Sequence, residues 1–197
     1  GEDESDQQGS QMMRSLSKCS TEYAHITIVT AYFPILSKHS EYEYQGWIRN
    51  ILSLQDAMVI FTSPDLVEYM KFWRKQAIDR TCFVPMFLNE TRMATQFSTA
   101  FWEMQSTIDP ERHFHPSYEL YLIWNEKTEW LKRTLDANPF HSQFFAWVDI
   151  GYFRTGRYNG QTMIQQVPRH LRRDQILVLN ATELVQDWHH QNGLYIT

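Results

Sequence analysis

From residue 25 onward the chain alternates short β-branched apolar runs with longer stretches whose apolar residues recur every three or four positions. HITIVTAYF, residues 25–33, is apolar without alternation and predicts a strand buried on both faces. Tyr44, Trp47, Ile48 and Ile51 then follow the i, i+3, i+4, i+7 spacing of one helix face, and AMVIFTS at 57–63 predicts a second strand. Ser63, Pro64 and Asp65 make a helix start, with Leu66, Met70, Trp73 and Ala77 on its apolar face. TCFVPMF at 81–87 is a third strand, and Pro85 places it at an edge or at its own end. Asn89 is read as the cap of a helix carrying Met93, Phe97, Ala100, Phe101 and Met104, and another helix opens at Pro116 and runs to about Leu135. FFAWVD (144–149) and QILVLN (175–180) complete the strands. Short strands separated by helices predict an α/β fold: a Rossmann-like sheet, mostly parallel, flanked by helices and joined by right-handed crossovers.

Residues 1–22 break this pattern. They hold four acids in the first six positions and little apolar periodicity, so they are expected to be a disordered head, with 23–197 as a single domain. A net charge of -5 without a Lys/Arg tract argues against nucleic acid as a partner. No run approaches the ~18 apolar residues of a membrane span. The chain starts at Gly1, and its end, NGLYIT, reads like the beginning of a strand, so a piece of a longer protein, truncated at its C-terminal end, is expected. It is soluble as given, whether cytoplasmic or the lumenal part of a secretory-pathway protein. Cys19 and Cys82 make neither a disulfide framework nor a zinc spacing and read as free thiols. Asn89-Glu90-Thr91 and Asn180-Ala181-Thr182 match the glycosylation acceptor pattern.

Two residues stand against their surroundings. Asp149 ends the apolar run of FFAWVDIGYFR, where an open α/β sheet binds its ligand, at the carboxyl ends of its strands. Thr30, Tyr32, Thr62, Ser63 and Asn180 end other strands and would converge on the same rim. Lys127 interrupts the apolar face formed by Leu120, Ile123, Trp124 and Leu131. Its stem reaches water, its ammonium pairs with an acid, or it enters the rim to meet a ligand phosphate. Neither GxGxxG nor GxxxxGK[ST] is present, nor a nucleophile elbow or CxxC. The His113/His115 pair and the Asp187, His189, His190 group lack a four-ligand metal spacing and read as surface histidines. The aromatic residues fall mostly on core faces.

The strand HITIVTAYF, the segment MVIFTSPDL, the helix ELYLIWNEKTEWL with Trp124, Glu126 and Lys127, and above all WVDIGYFR resemble, in the same order, the HtrL/YibB family of glycosyltransferase-like proteins over residues 25–197. The resemblance implies a GT-A-type domain that binds a nucleotide-sugar donor. In that fold a DxD motif holds Mn²⁺ or Mg²⁺ and donor oxygens, so Asp149 is the expected metal ligand, while Gly151 stands where the second acid would be. Lys127 and Arg154 would face the diphosphate, and Thr30, Ala31 and Tyr32 the nucleotide. The implied activity is hexosyl transfer to an unknown acceptor, a glycan, lipid or protein, with no identifiable acceptor-side base. A catalytically inactive nucleotide-sugar-binding module and a nucleotidyltransferase are the alternatives.

Overall fold

The computed structural model describes residues 16, 19, 23–172 and 175–177. Four strands, β1 (Ile26–Tyr32), β2 (Ala57–Thr62), β3 (Thr81–Pro85) and β4 (Phe144–Trp147), pair in parallel in the order β3-β2-β1-β4. The inner strand β2 is buried at every position and β1 at all but its last, which is why both read as continuous apolar runs without alternation. Strand β3 lies at the sheet edge and ends at Pro85, so the missing N–H interrupts no inner ladder.

Helices cover both faces, giving the Rossmann-like α/β architecture that the periodicities predict. Between β1 and β2 runs α1 (Glu41–Leu52), opened by a capping box in which Ser40 and Glu43 satisfy each other's backbone N–H groups. Between β2 and β3 runs α2 (Val67–Arg74). Their Ile48, Ile51, Leu52 and Met70 pack on Ile28, Met58 and Ile60 of the sheet. The connection from β3 to β4 carries α3 (Arg92–Gln96), α4 (Thr99–Ile108) and α5 (Glu119–Ala137). Trp130 of α5 packs against the opposite sheet face with Val29, Ala31, Val59 and Phe61. A right-handed connection that reverses direction across a sheet carries its helix over the other face, so the change of side follows from the strand order.

The structure corrects several local expectations. Thr91, not Asn89, caps α3 through its side chain, and Phe97 adopts an extended backbone that splits the predicted single helix; Ser98 then caps α4. Asn89 lies in a 3-10 turn and is exposed. Of the predicted strand 175–180, residues 175–177 are not in a strand, and Ile176 is 91% exposed; Asn180 lies outside the described residues. Leu16 and Cys19, assigned to the head, both join the body: Leu16 is fully buried in the Trp130 core, and Cys19 forms a disulfide with Cys82, Cα atoms 5.4 Å apart. The free-thiol reading failed because the two residues are 63 apart in sequence, and only the fold brings them together. The chain divides into two units, 1–165 and 166–197. The site described below lies wholly in the first.

Candidate functional site

Strand order reverses between β1 and β4: β2 and β3 extend the sheet to one side of β1, and β4 lies on the other. At such a switch point the loops leaving the two strands diverge, opening a crevice beyond their carboxyl ends. A cavity of about 420 Å³ occupies this place. Its walls come from the end of β1 and its following loop, from α1, from α5 and from the segment after β4.

Asp149 enters it because the β4 ladder ends just before it. Val148 N–H donates to Val29 O, continuing the pairing with β1, and Tyr152 N–H then donates to Asp149 O at 2.9 Å, closing a turn that ejects the Asp149 side chain from the sheet. Lys127 arrives from the opposite wall. Its Nζ lies 2.8 Å from Asp149 Oδ1, and Trp147 Nε1–H donates to the same oxygen at 2.9 Å. The two residues that break the apolar pattern of the sequence are thus two halves of one ion pair. Lys127 retains 14% side-chain exposure and Asp149 50%, so the pair contributes no more than ~1 kcal/mol of stability and can open at small cost.

The helix face that carries Lys127 is not the deepest part of α5. Leu120, Ile123, Trp124 and Lys127 line the cavity, whereas the fully buried side chains of α5 are Glu126, Trp130 and Thr134. Glu126 accepts hydrogen bonds from the backbone N–H groups of Arg92 and Met93 and so fixes the first turn of α3. Burial pushes its carboxyl above the usual range, against those donors. Trp130 stacks on Trp147 with centroids 5.9 Å apart, so the indole that holds Asp149 is itself set by the core.

The other predicted residues divide. Ala31, Tyr32, Gly151 and Arg154 line the cavity with Lys127 and Asp149. Tyr32 stays a protonated phenol, its pKa pushed up to about 12 by burial and by the nearby Glu41 charge. Thr30 does not line the cavity: it lies on the face of Ile28 and Tyr32 but two residues before the end of β1, fully buried, with no hydrogen-bond partner for Oγ1 among the described residues. Thr62, also predicted at the rim, is buried and donates to Tyr32 O at 2.8 Å. Trp47 was not singled out for the site, because its i+3 place in α1 marks it as core. The Arg154 guanidinium nevertheless lies 3.5 Å from its ring centroid, and the ring also abuts Gly151.

That ring leaves little room for a side chain at position 151. A Cβ at Gly151 would lie 3.1 Å from Cε3 of Trp47, an indole already enclosed by His39, Tyr44 and Arg154. Gly151→Ala is therefore expected to destabilise the protein by about 1–3 kcal/mol in urea unfolding, because overpacking against a caged ring outweighs the ~0.4–1 kcal/mol gained by stiffening the unfolded chain. An equal or higher stability would show that Trp47 yields freely. For a resident Mn²⁺ or Mg²⁺, which takes several hard oxygen ligands, the donor set is a poor fit. The site offers the Asp149 carboxylate, one oxygen of which is shared by an ammonium and an indole N–H, and the described residues contain no group of three His, Cys, Asp or Glu side chains placed to hold a metal.

Among the described residues no helix is long and apolar enough to cross a membrane. Comparison with curated proteins and with solved structures returned no match. The family model described as "Bacterial protein of unknown function (HtrL_YibB)" matches residues 24–168, which hold all four strands and every residue of the crevice, and the chain belongs to that family.

Proposed function

We propose that the crevice binds a nucleotide sugar and that the protein transfers its glycosyl group to an acceptor hydroxyl, on a GT-A-like version of the α/β sheet. The observation that carries this reading is the Lys127–Asp149 pair, set at the switch point of a parallel sheet, with Arg154 stacked on Trp47 in the same cavity. Two cations on facing walls of one crevice suit a diphosphate, whose charge grows as it leaves the anomeric carbon. Lys127 exchanges Asp149 for phosphate oxygen, an exchange made cheap by the solvent exposure of the acid. Asp149, released, accepts from a ribose hydroxyl. Ala31 and Tyr32 form the floor for the nucleotide. The required counter-charge is thus supplied by side chains, and a divalent ion bound at Asp149 would have to displace Lys127.

The crowding at Gly151 favours a second reading, a nucleotide-sugar-binding module without turnover, since an acid there would have to displace the Trp47 ring. A panel of nucleotide sugars with product analysis separates the readings: nucleoside diphosphate plus glycoside is expected. Pyrophosphate would make the protein a nucleotidyltransferase, and saturable binding without product would leave the inactive module. The Cys19–Cys82 disulfide favours an oxidising compartment, and so the lumenal of the two expected locations.

A further inference from the structure

The crevice wall opposite the sheet holds a histidine that the ion pair does not use. His115 lies in the loop between α4 and α5, next to Pro116, and lines the same cavity as Lys127 and Asp149. Its Nδ1 lies 2.7 Å from Asp109 Oδ2, and the two side chains are only 14% and 10% exposed. Asp109 is itself held from three directions. Tyr121 Oη–H donates to Oδ2 at 2.5 Å, Glu111 N–H donates to Oδ1 at 2.8 Å, and His115 supplies the third contact. Burial alone would raise the Asp109 carboxyl, but the hydrogen bonds from Tyr121, His115 and Glu111 outweigh it and keep the group below the ordinary carboxylate range. An ionised Asp109 can only accept, so Nδ1 carries the hydrogen, and the tautomer this sets leaves Nε2 as the nitrogen that can take a proton. Nε2 makes no hydrogen bond to any described residue. The ring is clamped edge-on by Trp124, centroids 4.9 Å apart, and by Tyr121 at 6.1 Å.

One ring nitrogen is pinned by a carboxylate, and the ring itself lines the cavity that holds Lys127 and Asp149. We propose that His115 is the general base of the site and Asp109 its positioning residue. The inference rests on the glycosyl-transfer reading above. In the step, the acceptor oxygen forms a bond to the anomeric carbon while its proton passes to His115 Nε2. The bond from that carbon to the diphosphate oxygen breaks, and its electron pair leaves with the nucleoside diphosphate, facing Lys127 and Arg154. The imidazolium, stabilised by Asp109, returns its proton to solvent. A direct displacement of this kind inverts the anomeric centre. Of the two histidines that the HxH pattern marks as surface residues, His113 is exposed and His115 is not.

The test compares wild type, His115→Asn and Asp109→Asn for nucleotide release from the nucleotide-sugar panel, for nucleoside-diphosphate affinity and for melting temperature. Asparagine at 115 keeps a donor for Asp109 and removes the base. The expected result is a fall in kcat of about 100-fold or more for His115→Asn, the usual range for a lost general base, with diphosphate affinity unchanged. Wild-type kcat/KM should also rise with pH through one ionisation that His115→Asn lacks and that Asp109→Asn moves to lower pH. Asp109 and Tyr121 touch the ring, and Lys38, His39, Lys127, Asp149 and Arg154 share its cavity, so persistence of that ionisation in His115→Asn would assign it to one of them and overturn the proposal. Turnover within about threefold of wild type overturns it too, and a lowered melting temperature with that turnover makes the dyad a loop clasp. Wild type that binds the diphosphate but releases nucleotide from no donor overturns the base alone. Wild type that binds no diphosphate overturns the reading of the whole site.

Discussion

Replacing Arg74 by methionine is expected to destabilise the protein by about 3–5 kcal/mol, a large share of the stability of a domain this size. Arg74 has no exposed surface. Its guanidinium donates to the carbonyls of Leu52, Leu54 and Asp56, the turn that leads from α1 into β2, and its Nε donates to Thr81 Oγ1 at 2.6 Å, at the start of β3. One side chain thus satisfies three backbone acceptors where the chain enters the central strand. Burial lowers its pKa to about 10, opposed by the Asp56 charge, so it stays protonated at neutral pH. Swapping a complete buried ion pair for apolar groups is often neutral, but here the acceptors are backbone and remain behind unpaired. Asp56, whose carboxylate accepts from Met163 and Ile164 N–H, would also lose its nearby cation. Urea unfolding followed by tryptophan fluorescence measures the loss; a cost under about 1 kcal/mol would mean that water replaces the guanidinium without penalty.

The second large effect is functional. Lys127→Met is expected to weaken nucleoside-diphosphate binding about 10- to 100-fold, the ~1.5–3 kcal/mol of a hydrogen bond to a charged group, while unfolding free energy changes by less than about 1 kcal/mol. The asymmetry follows from exposure: Asp149, left without its partner, is half open to water and still receives the Trp147 N–H. Methionine keeps an apolar stem of similar length on the cavity-lining face that Lys127 shares with Ile123 and Trp124. Isothermal titration of the variant, with urea unfolding of the same sample, provides both numbers. A large loss of stability with unchanged affinity would make Lys127 a structural residue only.

The sheet was legible because β1 and β2 are buried on both faces, and short runs of six or seven residues rich in β-branched and apolar side chains, without charge, have few other uses. The site was half legible. Asp149 and Lys127 could each be found because each breaks a pattern, a carboxylate after an apolar strand and a charge on an apolar helical stripe. That they meet could not be read, since β4 and α5 are joined in space by the right-handed return to the far side of β1. Trp47 and Trp147 were hidden because a tryptophan at helical spacing or within a strand looks like core whether or not its ring also lines a cavity. Thr30 misled because it shares the face of Tyr32 but stands two residues before the end of β1, where the strand is still fully buried, so proximity to Ala31 and Tyr32 in sequence did not place it in the crevice. Cys19, His115 and the start of α3 depended on loop geometry, which a hydrophobic pattern does not encode.

The most direct measurement is a calorimetric titration of the wild-type protein with a set of nucleoside diphosphates and with the corresponding uncharged nucleosides, without added metal. Saturable binding of at least one diphosphate is expected, at least tenfold tighter than its nucleoside, because Lys127 and Arg154 meet the phosphates. Folded protein that binds no diphosphate, or that binds nucleoside and diphosphate equally well, would contradict the assignment of the Lys127–Asp149 crevice as a diphosphate site.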